Sequence, residues 1–420
     1  MKLARIAVAA ALTVPLSAFA TIGYFQHGYG LKAKGMGGVG IALPQDSVAG
    51  AINPAGMAFL GNRLDAGLDW FRPIRDTEIQ GNAFPGVSNS YNASESKDFF
   101  IPEFGYNRMI RPDLALGLSV FGNGGMNTSY TTPIPLFGTT KAKMDYSQLF
   151  ISPTLAWKLN DRHSIGAAVN VAYHRFKVEG LENFARAPTS SSPGDVTNRG
   201  YDSSWGWSLR LGWTGQITDA VTLGATYQSK TRMGKFDKYK GLFAEQGDLD
   251  VPENYGIGIA IKATPKLTLA GDIHQINYGG VRAIGNPVDC LFAGQCQLGA
   301  SNGAGFGWRD TTVYKLGASY AWSRDLVLRA GYATLKQPIP SSQTLFNMIA
   351  PGVVEDHLTL GATWAFGGNK ELTLAYMHAF EKKVNGASSI PPGAPPGFGG
   401  GEANLKMHQD SLGIAFGWKM

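Results

Sequence analysis

Cysteine is nearly absent: Cys290 and Cys296 are the two in a chain of 420 residues. That count excludes a disulfide-built scaffold and a cysteine-ligated zinc cluster. The seven histidines are scattered without metal-ligand spacing, so no metal and no cofactor are expected. Charged residues make up only 16% of the chain, and the formal net charge of +6 is spread without a basic cluster. A nucleic-acid partner is therefore not expected. No Gly-x-Ser-x-Gly, no phosphate-cradling loop and no arguable carboxylate pair is present, and an enzyme is not expected. Nor does any apolar run approach the roughly 20 residues of a membrane helix.

What the chain has is glycine, 55 residues, and aromatics at 11%. It also has six short polar turns at nearly even steps. They are Arg111-Pro112-Asp113, Asn160-Asp161-Arg162, Thr218-Asp219-Ala220, Thr264-Pro265-Lys266, Ser323-Arg324-Asp325 and Gly367-Gly368-Asn369. Around them the residues alternate. Leu114, Leu116, Leu118 and Val120 oppose Ala115, Gly117 and Ser119; Leu326, Leu328, Ala330 and Tyr332 oppose Val327, Arg329 and Gly331; Leu412, Ile414, Phe416 and Trp418 oppose Ser411, Gly413, Ala415 and Gly417. Period two means strands. A sandwich and a membrane barrel share this alternation. Strand length and the aromatic strand ends Tyr320, Trp322, Trp364, Phe366, Tyr376 and Phe380 favour the barrel.

The amino end favours it too. Lys2 and Arg5, the apolar stretch Ile6 to Leu16 and the small-x-small Ala18-Phe19-Ala20 read as a signal peptide over residues 1–20, with Thr21 first in the mature chain. In an exported chain, Cys290 and Cys296 within one loop predict a local disulfide. Six turns join twelve strands, and one more strand lies outside each end, Asn62 to Phe71 and His408 to Trp418. The expectation is a transmembrane antiparallel β-barrel of about 14 strands over 62–420, in the bacterial outer membrane, with both termini periplasmic. Seven longer outer connections follow: 73–96, 123–141, 179–200, 235–250, 277–309, 337–352 and 383–406. Pro391-Pro392-Gly393-Ala394-Pro395-Pro396-Gly397 lies in the last of these and reads as an extended loop.

Residues 21–61 show no alternation and are thick with glycine, and they are too poor in apolar residues to fold alone. The barrel lumen is the expected host. Here the sequence resembles the outer-membrane hydrophobic-compound transporters of the fatty-acid and toluene type. The resemblance rests on Gly35-Met36-Gly37-Gly38, Asp46-Ser47-Val48-Ala49-Gly50 and Asn53-Pro54-Ala55. It is reinforced by Trp308 to Tyr320, Leu328-Arg329-Ala330-Gly331-Tyr332, Pro338, Pro340, Pro351 and Asp356-His357-Leu358-Thr359-Leu360-Gly361. It covers essentially the whole chain. Trp418-Lys419-Met420 departs from the family's terminal aromatic.

The resemblance implies a plug, or hatch, carrying Asn53, Pro54 and Ala55 inside the barrel. It also implies passive passage of a hydrophobic ligand, a long-chain fatty acid first and an aromatic or alkane hydrocarbon as the alternative. Ligand would collect among the outer loops, enter an apolar lumen pocket and leave sideways through a wall opening at the third strand. Here that strand runs into Phe121, Gly122, Asn123, Gly124 and Gly125, a glycine density suited to a bulge or to the strand's end. A general diffusion porin is the rival, and the expected partners are a hydrophobic small molecule and outer-membrane lipid around a monomer. Leu242, Phe243, Leu345, Phe346, Met348 and Ile349 are apolar within outer loops and are the candidate ligand groove, or loop-on-loop packing. Arg210, Lys262, Asp272, Lys315 and Arg329 are expected to face inward. Lys315 or Arg329 would hold a carboxylate, or form an ion-pair ladder with Asp272.

Overall fold

A computed structural model describes residues 22–393 and 397–420. The signal-peptide reading of 1–20, Thr21, and Ala394, Pro395 and Pro396 of the proline-rich loop lie outside them. Sixteen strands form one antiparallel sheet whose first and last members pair. Two are short, Asn89–Asn92 and Arg232–Met233, leaving fourteen that make the wall. These are β1 (Arg63–Gln80), β2 (Phe99–Arg111), β3 (Leu114–Ser129), β4 (Lys143–Lys158), β5 (His163–Glu179), β6 (Asp202–Gln216) and β7 (Val221–Gln228). They continue as β8 (Asn254–Lys262), β9 (Leu267–Ile276), β10 (Thr311–Ala321), β11 (Leu326–Leu335), β12 (Asp356–Phe366), β13 (Lys370–Val384) and β14 (Glu402–Lys419). Closure runs from Arg63↔Lys419 to Gln80↔Glu402.

All six short polar turns fall between strands at one end of the barrel. In the three-residue loop between Phe366 and Lys370, Gly367 and Gly368 both have positive φ, 58° and 79°, a backbone that side chains resist. The alternation settles which face meets what. On β10, Leu316 is 65% exposed while the adjacent Lys315 is 8% exposed. Apolar out and charged in is stable only where the outside is lipid. Each large apolar side chain moved from water to an apolar medium gains roughly 1.5–3 kcal/mol, and such residues ring the wall. Trp205, Trp207, Trp322, Trp364 and Trp418 are among them.

The strands outrun the expectation at three places. β1 continues past Phe71 to Gln80, through Pro73. Its pairing with β2 ends at Phe71↔Phe99, so Pro73 needs no donor on that edge, and β14 pairs with it on the other. β14 correspondingly begins at Glu402, not His408. β3 runs to Ser129 because β4 rises beside it to Ser129↔Lys143, and one bulge at Asn123 absorbs the glycines. The outer connections are thereby 81–98, 130–142, 180–201, 229–253, 277–310, 336–355 and 385–401. Lys262 has the inward parity but ends its strand at the exposed rim, which corrects its lumen assignment.

Residues 22–62 precede β1, with one short helix, α1 (Leu31–Lys34). Nearly all of them are buried, against the inner wall. The inner-face glycines explain how that packing is possible. A Cβ on Gly105 would strike Ser47, on Gly166 Ala55, on Gly212 Asn53, on Gly224 Ile41, and on Gly331 Gly37. A ring of missing side chains lets a second backbone lie directly on the barrel.

Candidate functional site

The amino-terminal segment is fixed from below by polar side chains of the wall. Asn53 caps the 3₁₀ turn Pro54–Phe59 by accepting from the Ala55 amide at 3.1 Å. Its Nδ2 donates to the carbonyls of Ile41 (2.7 Å) and Trp213 (2.9 Å) and to Thr214 Oγ1 (3.1 Å). One side chain thus ties two parts of the segment to β6. Pro54 supplies the first turn without an N–H to satisfy. Ala55 is fully buried over Gly166, and its carbonyl accepts from Ser164 Oγ at 2.9 Å.

Buried charges do the same at α1. Lys34 pairs with Asp69 at 2.9 Å, and Glu103 accepts from the Leu31 amide at 2.8 Å. Asp65 accepts from the Ser47 amide at 2.8 Å and pairs with Arg63, which reaches Glu371 at 3.0 Å. Lys32 also pairs with Glu371. Sequence reasoning missed this network, because Lys32, Lys34, Asp65, Asp69, Glu103 and Glu371 are far apart in the chain and carry no motif.

Of the inward charges that were anticipated, Arg210, Asp272, Lys315 and Arg329 are buried. Asp272 and Lys315 stand opposite each other in register. Their hydrogen bonds nevertheless go to the segment. Asp272 accepts from the amides of Gly40 (2.8 Å) and Ile41 (3.1 Å), and Lys315 donates to the His27 carbonyl at 2.8 Å. Arg329 donates to Gln45 Oε1 and Thr363 Oγ1, each at 2.7 Å. Arg210 donates to the Ile52 carbonyl at 3.0 Å.

Phe121, Gly122, Asn123, Gly124 and Gly125 lie where the wall loses a strand. β2 and β3 pair from Arg111↔Leu114 up to Glu103↔Phe121 and then part. Pro102, one residue beyond the last pair, has no N–H to offer. The edge of β3 above that point is met by Tyr24, Phe25 and Gln26. Gly125 N donates to Tyr24 O (2.9 Å), Gln26 N to Asn123 O (3.3 Å), and Gln26 Nε2 to Gly122 O (2.6 Å). Tyr29 OH reaches Asn123 Oδ1 at 2.8 Å. No sequence signal marked Tyr24 to Gln26: a three-residue edge contact has no periodicity to read.

Two cavities are lined by the candidate residues. The outer one, about 30 Å³, is lined by loop residues that include Leu242, Phe243, Phe346 and Ile349, with Phe184 and Phe306. Leu345 and Met348 are buried beside it; Tyr130 OH holds the Met348 carbonyl at 2.6 Å and Thr128 Oγ1 the Ile349 carbonyl at 3.0 Å. The inner cavity, also about 30 Å³, is lined by Phe25, Tyr29, Ile52, Arg210, Ile276 and Lys315, among others. A water needs about 10–15 Å³ and a drug-sized ligand at least about 300 Å³, so this conformation is closed. Cys290 and Cys296 are disulfide-bonded in the outer loop 277–310.

The family model described as outer membrane protein transport protein (OMPP1/FadL/TodX) matches residues 17–410. The long-chain fatty acid transport protein of Escherichia coli O157:H7 is 22% identical over 409 residues, covering 86% of this chain and 88% of its own. The toluene transporter TodX of Pseudomonas putida has a similar fold, with a TM-score of 0.69 at 19% identity over 95% of this chain and 100% of that one. A FadL homologue of Pseudomonas aeruginosa gives 0.69 at 17%, over 94% and 99%. The chain belongs to the OMPP1/FadL/TodX family of outer-membrane transport proteins, as a bacterial outer-membrane transporter of hydrophobic compounds and not an enzyme.

Proposed function

We propose that the protein is a passive, monomeric route for long-chain fatty acids, with residues 22–61 as a hatch that closes the axis. Ligand gathers in the outer groove of Leu242, Phe243, Leu345, Phe346, Met348 and Ile349. It then enters the lumen above the hatch, beside Lys315, and leaves sideways between β2 and β3. The observation that carries this reading is the composition of the seam. Between Phe121 and Asn127 the edge of β3 is bonded by Tyr24 to Gln26, through a few hydrogen bonds to Gly122, Asn123 and Gly125, and not by a neighbouring barrel strand; residues 92–95 meet it only from Ser129 upward. A three-residue patch is removable where a full ladder is not. A greasy ligand gains nothing from an aqueous pore, and a sideways exit keeps it out of water throughout.

Asn53, Pro54 and Ala55 serve this reading as the anchor that keeps the hatch seated while the seam opens. Uptake of labelled oleate by cells deleted for their own carriers tests it. Restored uptake supports the fatty-acid reading; uptake of toluene with none of oleate would move the substrate to hydrocarbons. Steady large conductance in a planar bilayer would instead support a porin for polar solutes.

A further inference from the structure

The buried cations around α1 come with carboxylates: Lys34 with Asp69, Arg63 with Asp65, Lys32 with Glu371. Arg75 does not. It projects from the inner face of β1, is 1% exposed, and among the described residues no carboxylate pairs with it. Asp76 beside it faces the other way along the alternating strand, toward Lys406. The Arg75 guanidinium is held only by neutral oxygens, the Asn127 carbonyl at 2.7 Å, Asn127 Oδ1 at 3.5 Å and the Ser96 carbonyl. Its Nε has no hydrogen-bond partner. A buried, uncompensated cation is among the most costly groups a fold can carry.

Its surroundings are greasy. The Phe99 ring lies 5.9 Å from the guanidinium carbon, and Arg75 lines a small cavity with Phe71, Met126, Pro351 and Met407. Its position is equally specific. β1 loses β2 as a neighbour above Phe71↔Phe99; residues 89–95 stand there instead, bonding the Arg75 backbone through Ala93 and Ser94 and meeting Ser129 of β3, and the Arg75 side chain reaches past them to Asn127 on β3 and to Ser96. It adds a side-chain tie between β1 and β3 where only that thin segment joins them. Arg210 and Lys315, by contrast, bond the carbonyls of Ile52 and of His27 in the amino-terminal segment.

Resting on the fatty-acid reading above, we infer that Arg75 is a carboxylate receptor at the lateral seam. A long-chain monocarboxylate takes its guanidinium in a two-point hydrogen bond, with the acyl chain against Phe71, Phe99 and Met126. The fork geometry of arginine suits a carboxylate, and the bond is stronger than those to neutral carbonyls. Binding exchanges the Asn127 and Ser96 carbonyls for the ligand, so the same event that recognises the head group releases one tie of the wall beside it. The charged head is thereby a specificity element that an ester or a hydrocarbon cannot engage.

The test is equilibrium binding of oleate, methyl oleate and toluene to the purified full-length protein and to Arg75→Gln, which keeps a donor for the carbonyls but removes the charge. A charge-assisted bond predicts that oleate weakens about 10-fold or more in this variant, with methyl oleate and toluene unchanged. Arg75→Lys, which keeps the charge, is expected to recover part of the oleate affinity, and supplies the comparison should the glutamine variant fail to assemble. Equal loss for oleate and its ester, or no loss for oleate, overturns the assignment. Wild-type protein that binds toluene but neither oleate nor methyl oleate overturns the fatty-acid reading beneath it.

Discussion

The amide nitrogen of Asn53 lies 2.9 Å from the main-chain oxygen of Trp213, 160 positions away in sequence, and its carbonyl oxygen sits where a side chain on Gly212 would be. A residue of the amino-terminal segment and a wall strand are thus fitted to each other at backbone contact. Replacing Asn53 by Ala removes three donated contacts and a cap, a loss of about 1–3 kcal/mol. The barrel should still insert, while amide exchange in residues 41–57 rises and oleate uptake falls. Unchanged exchange and unchanged uptake would remove the special role of Asn53.

The inner glycine ring makes a complementary demand. Gly331→Val places methyl groups where the Gly37 backbone lies. The strand gains β-propensity and the wall should survive. Residues 22–61 should become accessible to protease, and conductance should appear. A variant as tight and protease-resistant as the wild type would show that the segment packs otherwise.

The loop 229–253 should respond to pH. Burial and the nearby negative charge of Asp248 push the Asp250 carboxyl up to about 6, against the lowering effect of the Met233 amide that donates to it at 2.7 Å. A carboxyl whose folded value lies above its unfolded value of about 3.9 destabilises the fold when ionised. The penalty is therefore full above pH 6 and is relieved as pH falls toward 4. Limited proteolysis of this loop, which carries Leu242 and Phe243, should be slower at pH 5 than at pH 8. Asp250→Asn should flatten the difference. Faster cleavage at pH 5 would contradict the sign.

Much of the wall was legible in the sequence, because lipid on one face and packing on the other impose a strict two-residue period on segments such as Leu412 to Trp418. The turns were legible for the same reason in reverse: Gly367-Gly368 and Thr264-Pro265-Lys266 interrupt that period with residues a ladder rejects. The upper ends of β1, β3 and β14 were not. There the outer face of β1 and β14 carries Arg72, Asp76, Lys406 and His408, polar side chains that read as loop, and β3 runs through the glycines at Gly122, Gly124 and Gly125. The candidate site was half legible. Asn53-Pro54-Ala55 and the glycines at 122–125 stand out locally, whereas Tyr24, Arg75 and Glu371 acquire meaning only from partners about 100 or more residues away or from a strand that is missing beside them.

The central claim is that ligand leaves through the seam that Phe25 closes against Gly124. Their bridge is flanked by the bonds of Tyr24 to Gly125 and of Gln26 to Asn123; a side chain on Gly124 would strike the Tyr24 carbonyl, so the neighbouring opposed pair Gln26 and Asn123, whose Gln26 N donates to Asn123 O at 3.3 Å, is the one to cross-link, at a Cα separation of about 5.5 Å. The decisive measurement is oleate uptake by the Gln26→Cys, Asn123→Cys double variant under oxidising and then reducing conditions, beside wild type treated identically. Uptake lost on oxidation and regained on reduction, with wild type unaffected, is the predicted result. Undiminished uptake with the cross-link verified by mass spectrometry would contradict the account.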